Sequence, residues 1–348
     1  MGMPVTARAL DPTALALVPC PVALIRTAAI PHPERAVATG EVVRVRRGVY
    51  APRAAWAALR PWERYLARVY AVATVQPDVV FSHESAAALL GMPVIGDPEV
   101  VHIVVSPSAA SREHAGIRSH RADRFDDLLL VGGLLLTTPG ATAVTLARQR
   151  HNALGFAAAE AALRIDTTLT PAALRADNES RRSSRGRNHA RWALARAKGR
   201  CESVLESFSV AEIEWLGFPE PEVQREFTSS GGVIDRGDLW WEEARLLGEP
   251  DGEFKYDGRF GDPAELLRDR HQRDRRLLRA GVRAVAHWGW IDLARVDPLR
   301  AQLRGQGLRP VTPEDPAQLR SIQRLLAPYD RAITRAHRER TTARRGNG

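Results

Sequence analysis

Lysine is nearly absent from this chain of 348 residues: of the 50 Lys plus Arg residues, only Lys198 and Lys255 are lysine. Arginine is a planar, permanently charged fork, whereas lysine is a compact charge that can approach a water or an oxyanion and shift its pKa. Lys255 is therefore conspicuous in "GEPDGEFKY" (248–256), just after Glu249, Asp251 and Glu253. Cysteine is as scarce. Cys20 and Cys201 are far apart and have no Cys or His at zinc-ligand spacing, so neither a disulfide framework nor a structural zinc site is indicated, and a reducing cytoplasm fits. Long apolar runs are missing too, so no membrane span is expected. The stretch "ALALVPCPVALI" (14–25) is broken by Pro19 and Pro21 and reads as folded protein, not a secretory leader.

What is present is length, core and positive charge. The length predicts two or three domains, and 44% hydrophobic residues support folded cores. A formal net charge of +9 makes a polyanion, first of all nucleic acid, the expected partner.

Near the N-terminus "GEVVRVRRGVYAPR" (40–53) alternates strand formers with arginines and offers Gly48 for a tight turn, which predicts a basic hairpin. Pro31 and Pro33 leave about two helical turns, roughly 34–39, before it. Helix then basic hairpin is the order of a winged helix-turn-helix, with an ordinary exposed hairpin as the alternative. Arg35, Arg44, Arg46, Arg47 and Tyr50 are the candidate DNA contacts here. Farther on, "PWERYLARVYAVATV" (61–75) has helical periodicity, "SHESAAALLGMPV" (82–94) reads as a helix capped by Ser82, and "VVHIVV" (100–105) as a buried strand. "LLLVGGLLLTTP" (128–139) predicts two strands around Gly132 and Gly133, followed by two helices. His83, Glu84 and His102 are taken as structural, because spacing alone does not bring them together.

The strings "VRVRRGVYAP", "SHESAAALLGMP", "VHIVV", "GIRSHRA" and "LLLTTPGATAVTLARQ", in this order, resemble the antitoxin family of type IV toxin-antitoxin systems, the AbiEi-like proteins, over about 18–170. The resemblance implies a winged-helix DNA-binding module (1–55), a middle α/β module (56–170), transcriptional autorepression and a cognate toxin as partner. Residues 171–200, rich in Ser, Gly and Arg, read as a basic linker or helix able to neutralise phosphates.

Beyond them, "CESVLESFSVAEIEWLGFP" (201–219) predicts a helix that places Glu202 and Glu206 on one face. Strand, Gly231-Gly232 turn, strand, turn, strand, a helix opened by Pro263 and closed by Gly281, and a last strand at 282–290 complete the order αβββαβ. Residues 296–348 read as a helical basic tail. Asp251-Gly252 signals a turn, and Pro250 interrupts strand pairing.

The segment 201–295 resembles the PD-(D/E)XK nucleases, most closely the domains similar to very-short-patch-repair endonucleases. The residues that carry the resemblance are "ESVLES", Gln224, Asp238, "GEPDGEFKY" and the helix through Arg273 and Arg276. It implies a restriction-endonuclease-like fold within an overall α/β (α+β) chain. Asp238, Glu249 and Asp251 would be ligands for Mg²⁺ or Mn²⁺, Glu206 the helix carboxylate and Lys255 the catalytic lysine, with Arg273 and Arg276 on double-stranded DNA. Such carboxylates hold a metal that lowers the pKa of a water, and a cation stabilises the developing phosphorane charge. Two ambiguities stay open: Asp235 rivals Asp238, and Glu253-Phe254-Lys255 offers a second E-x-K register. The expectation is a cytoplasmic, DNA-binding, defence-associated protein, leaning to a metal-dependent endonuclease, with an inactive nuclease fold acting as repressor as the alternative.

Overall fold

A computed structural model describes residues 15–106, 108, 110–121, 127–228, 232–251, 263–328, 330 and 331. Lys255, Gly252 and Glu253, and with them the choice of E-x-K register, lie outside the described residues. The chain is mixed α/β and divides into two units, Met1–Gly199 and Arg200–Gly348.

The first unit opens with β1 (Ile25–Arg26), α1 (Pro33–Ala38), β2 (Val42–Arg46) and β3 (Val49–Pro52), forming an antiparallel sheet ordered β1-β3-β2. Gly48, at φ +85°, makes the hairpin turn that an L side chain would strain. Ala36, Val42 and Tyr50 are buried together in a small core, with Ile25, Ile30 and Val37 packed on it. Next come α2 (Arg53–Ala58) and α3 (Pro61–Val75), whose buried Tyr65, Leu66, Val69 and Val72 recur at helical spacing.

A six-stranded mixed sheet follows, built from β4 (Val80–Phe81), β5 (Val101–Val105), β6 (Glu113–His114), β7 (Ile117–Arg121), β8 (Leu128–Val131) and β9 (Leu134–Thr137) in the order β6-β7-β5-β4-β9-β8. Between its first two strands lies α4 (His83–Leu89). Ser82 precedes that helix but does not cap it, because its Oγ is bonded to His83 Nδ1 at 3.0 Å instead. The paired strands around Gly132 and Gly133 form as their sequence predicts, both glycines having positive φ.

Helices α5 (Pro139–Gln149), α6 (Asn152–Ile165), α7 (Pro171–Ser180) and α8 (Arg187–Arg196) complete the unit. Pro139 occupies the first turn of α5, and the Thr138 side chain accepts from Ala141 N at 3.2 Å. The basic run 171–200 is thus largely helical, and several of its arginines are satisfied internally. Arg181 pairs with Asp177 at 2.8 Å and Arg191 with Glu179 at 2.8 Å. The buried Glu160 carboxylate accepts the backbone N–H groups of Lys198 (2.6 Å) and Gly199 (3.1 Å), fixing the chain after α8.

The second unit contains α9 (Val204–Trp215), β10 (Glu222–Thr228), β11 (Ile234–Trp241), β12 (Leu246–Pro250), α10 (Pro263–Arg279), β13 (Ala284–Trp288), α11 (Trp290–Arg295) and α12 (Asp297–Gly305), then helical residues 316–328. Its sheet runs β10-β11-β12-β13 in sequence order. The first two pairings are antiparallel, whereas β12 and β13 are parallel, because α10 connects them. Helix α9 begins after Ser203, whose Oγ accepts from Glu206 N at 3.0 Å. Glu202 therefore precedes the helix and does not share a helical face with Glu206; its carboxylate pairs with Arg236 at 2.6 Å.

Pro250 is accommodated by topology. The β11 register ends at Leu239↔Gly248, while β13 continues to pair through Pro250↔Trp288. The proline thus sits where one side of β12 has lost its neighbour, the location at which a missing N–H costs least. Asp251 N still donates to Trp288 O at 2.8 Å. Gly248 is required by close approach: a Cβ there would lie 2.3 Å from Trp288 Cη2.

Candidate functional site

In the second unit the predicted polar residues gather around the β10–β11–β12 face. Gln224 is the link. It has φ +61°, in the left-handed region that non-glycine residues rarely adopt, and it drops out of the β10–β11 ladder between Val223↔Leu239 and Arg225↔Gly237. From there its amide nitrogen donates to Glu206 Oε2 at 2.8 Å and to Asp238 Oδ1 at 3.3 Å. Glu206, buried at the start of α9, also accepts from Glu202 N at 2.9 Å.

On the neighbouring strand Glu249 stands next in register after Gly248, beside Asp238. It is 4% exposed, and both its oxygens are taken by the Arg273 guanidinium from α10, at 2.8 and 3.0 Å. Burial pushes the Glu249 pKa up, with Asp251 adding to the rise and Arg273 and His287 opposing it. For Arg273, burial works against the charge, but Glu249 outweighs it, helped by Asp238 and Asp235, and the pKa is raised. Asp251 faces His287 Nδ1 at 3.0 Å and Arg270 at 3.6 Å, while His287 Nε2 faces Asp274 at 3.1 Å. Asp235, the rival of Asp238, is held by Arg276 through two bonds of 2.7 and 2.8 Å, and this pairing lowers its pKa.

The structure therefore brings Glu206 and Asp238 together through Gln224, and Glu249 and Asp251 into one electrostatic neighbourhood. Arg273 and Arg276, the proposed phosphate contacts of α10, are engaged by carboxylates. Mg²⁺ binds oxygens at about 2.0–2.1 Å in an octahedron, so its ligands lie within about 4.2 Å of one another. Among the described residues Asp238, Glu249 and Asp251 do not form a group of three with all donor atoms within 4.8 Å. In this arrangement the three carboxylates do not together surround one ion, and Glu249 is held by Arg273.

In the first unit Arg35, Arg44 and Arg47 are exposed, on α1, β2 and the hairpin turn. Arg46 is partly buried, and burial lowers its pKa. Tyr50, expected among the DNA contacts, is 7% exposed and belongs to the small core.

A second cluster was not legible from spacing. His83, His102 and His120 place ligating atoms within 4.8 Å of one another. His83 and His102 are two of the three residues taken as structural from the sequence; His120, within "GIRSHRA", was missed because β5 and β7 pair in parallel and juxtapose residues far apart in sequence. Burial is the main cause of lowered pKa values in all three, with His120 brought to about 4, so the imidazoles are neutral at pH 7.

Residues 78–195 match the family model described as the AbiEi antitoxin C-terminal domain. This supports the resemblance to AbiEi-like antitoxins for that part of the chain. Two relatives from Mycobacterium tuberculosis, "Uncharacterized protein Rv2248" of strain H37Rv and "Uncharacterized protein MT2308" of strain CDC 1551, are each 33% identical over 188 residues. The similarity covers 53% of this chain and 66% of each relative, just under two thirds of their length. No solved structure matches the chain significantly. Among the described residues no helix is long and apolar enough to cross a membrane.

Proposed function

We propose that the chain is a DNA-binding regulator of the toxin-antitoxin class. Its hairpin β2–β3 acts as the wing of a winged helix, and a cognate toxin is its protein partner. The observation that carries this reading is the exposed set Arg35, Arg44 and Arg47, on α1, β2 and the hairpin turn, ahead of the antitoxin-type domain at 78–195. Guanidinium groups on a protruding turn neutralise phosphates and release counterions, and the +9 charge favours association with a polyanion. Footprinting the full chain on DNA from its own promoter tests this. Protection of a discrete site, lost in Arg44→Glu/Arg47→Glu, is the expected result; uniform weak binding unaffected by the substitutions contradicts it.

A second reading, favoured by the αβββαβ order and the Glu206–Gln224–Asp238 chain, makes the second unit a PD-(D/E)XK-type endonuclease acting on double-stranded DNA. It requires Arg273 to release Glu249 so that Asp238, Glu249 and Asp251 can close on Mg²⁺ or Mn²⁺. Lys255 would then stabilise the attacking hydroxide. Incubation of supercoiled plasmid with the protein and Mg²⁺ or Mn²⁺, beside Asp238→Ala and Lys255→Ala, separates the readings. Nicking by the parent alone supports the enzyme, while no nicking, or equal nicking by the variants, leaves the regulator.

A further inference from the structure

The three clustered histidines of the first unit come from three separate elements. His83 starts α4, His102 lies on β5 and His120 on β7. His83 and His102 are buried, at 4% and 5% exposure, and His120 is half-buried. Three neutral imidazoles gathered away from water gain little from one another, so the question is what holds them there. The rings stack, with centroids 3.9 Å apart for His83–His120 and 5.1 Å for His102–His120.

The hydrogen bonds assign one nitrogen of two rings to a supporting partner. His83 Nδ1 is bonded to Ser82 Oγ at 3.0 Å, and His102 Nε2 faces Glu84 Oε2 at 3.5 Å. Glu84 is itself held by two bonds from Arg150. What remains for ligation is His83 Nε2, His102 Nδ1 and His120 Nε2. The first of these is buried and makes no hydrogen bond of ordinary geometry, with the Gln149 side chain near the ring. The other two face each other at 2.8 Å. A ring nitrogen buried without a hydrogen bond is costly in a protein, and an ion is one of the partners that explains it; with Nδ1–H donating to Ser82 Oγ, His83 Nε2 presents its lone pair.

We propose that His83, His102 and His120 bind one divalent transition-metal ion of the zinc class through three imidazole nitrogens, leaving a fourth position open. Imidazole is the preferred donor for such ions, and a set of three with an open position is a known zinc arrangement. The ion takes the place of the proton shared between His102 and His120. With Glu84 favouring a proton on His102 Nε2, His120 Nε2 is the donor in the metal-free form, and its proton moves to Nδ1 on binding. No net proton is released. Tetrahedral zinc holds its nitrogens about 3.3 Å apart, so the His102–His120 pair opens by about 0.5 Å and His120 turns out of its stack. Ser82 and the Glu84 carboxylate are the outer partners that fix ring orientation.

The fourth position opens on a cleft of about 630 Å³ lined by Ser82, His83, His120, Arg118, Arg148 and Arg185, among others. A water or small anion on the ion would meet arginine there. The inference stands apart from the proposed DNA binding and does not depend on it.

The test uses the full chain, stripped with chelator and then titrated with Zn²⁺ by calorimetry and with Co²⁺ by visible absorption. One ion per chain and intense d–d bands of a four-coordinate site are expected. His120→Ala should lower affinity by more than about 100-fold, beyond the 10–100-fold typical of an outer partner, and Glu84→Gln by about 10-fold. His114→Ala, an exposed histidine of the same unit, should bind like the parent. Absence of binding by the parent, weak six-coordinate bands, or equal binding by folded His120→Ala overturns the proposal. Should His120→Ala fail to fold, the parent's stoichiometry and Co²⁺ spectrum decide it.

Discussion

Arg273 holds both carboxylate oxygens of Glu249, reaching from α10 to β12 with bonds of 2.8 and 3.0 Å. Glu249 is 4% exposed, so this pair decides whether a buried charge on β12 is tolerated. Arg273→Ala leaves that carboxylate without its partner. Because the arginine side chain is 28% exposed, the cost should be about 2 kcal/mol, below that of breaking a fully buried pair. The urea midpoint measures it. An unchanged midpoint means Glu249 is solvated or protonated without help.

Gly248 supplies a packing test beside the same residue. A methyl group there meets the Trp288 and Trp241 rings, at 2.3 and 3.1 Å from their nearest atoms. Gly248→Ala should destabilise the second unit by about 2–3 kcal/mol, typical of overpacking. Thermal unfolding checks it, with tryptophan fluorescence reporting displacement of the rings.

Glu212 gives the pH dependence. It is fully buried on α9 with both oxygens unpaired, and burial raises its pKa well above the ordinary 4.5; Arg300 lowers it and Asp292 adds to the rise. Arg300 is shared with Glu314 at 3.0 Å, so its compensation is partial. Between pH 4.5 and the folded pKa the native state binds more protons than the unfolded one, and stability falls as pH rises. The contribution of Glu212 is complete below pH 4.5 and is lost as pH climbs through the folded value. Glu212→Gln should therefore be more stable than the parent at pH 8, by about 1 kcal/mol or more, and the gap should narrow toward pH 5. Guanidinium melts at both values check the sign, and a gap that widens on acidification contradicts it.

Much of the fold was legible because it rests on local signals. The hairpin at Gly48, the pair of strands at Gly132-Gly133 and the αβββαβ order follow from turn residues and periodicity that act within a few positions. The sites were less legible, because they depend on what tertiary register juxtaposes. Gln224 was named, but not the left-handed backbone that lets it bridge Glu206 and Asp238. Tyr50 is of a residue type that suits a nucleic-acid contact, yet it is buried, because β3 is covered on both faces: Tyr50 packs with Ala36 and Val42, and its neighbour Ala51 with Val22 and Ala67. Nothing in the spacing of His83, His102 and His120 announces a cluster that only the β5–β7 pairing creates.

The central claim, DNA binding through the N-terminal hairpin, is tested most directly by the salt dependence of affinity for promoter duplex. The full chain should bind with a log–log slope that becomes shallower by about 0.9 for each phosphate contact removed, so Arg44→Ala/Arg47→Ala should lose both affinity and up to about 1.8 of slope. An affinity and slope identical to those of the parent would contradict the account.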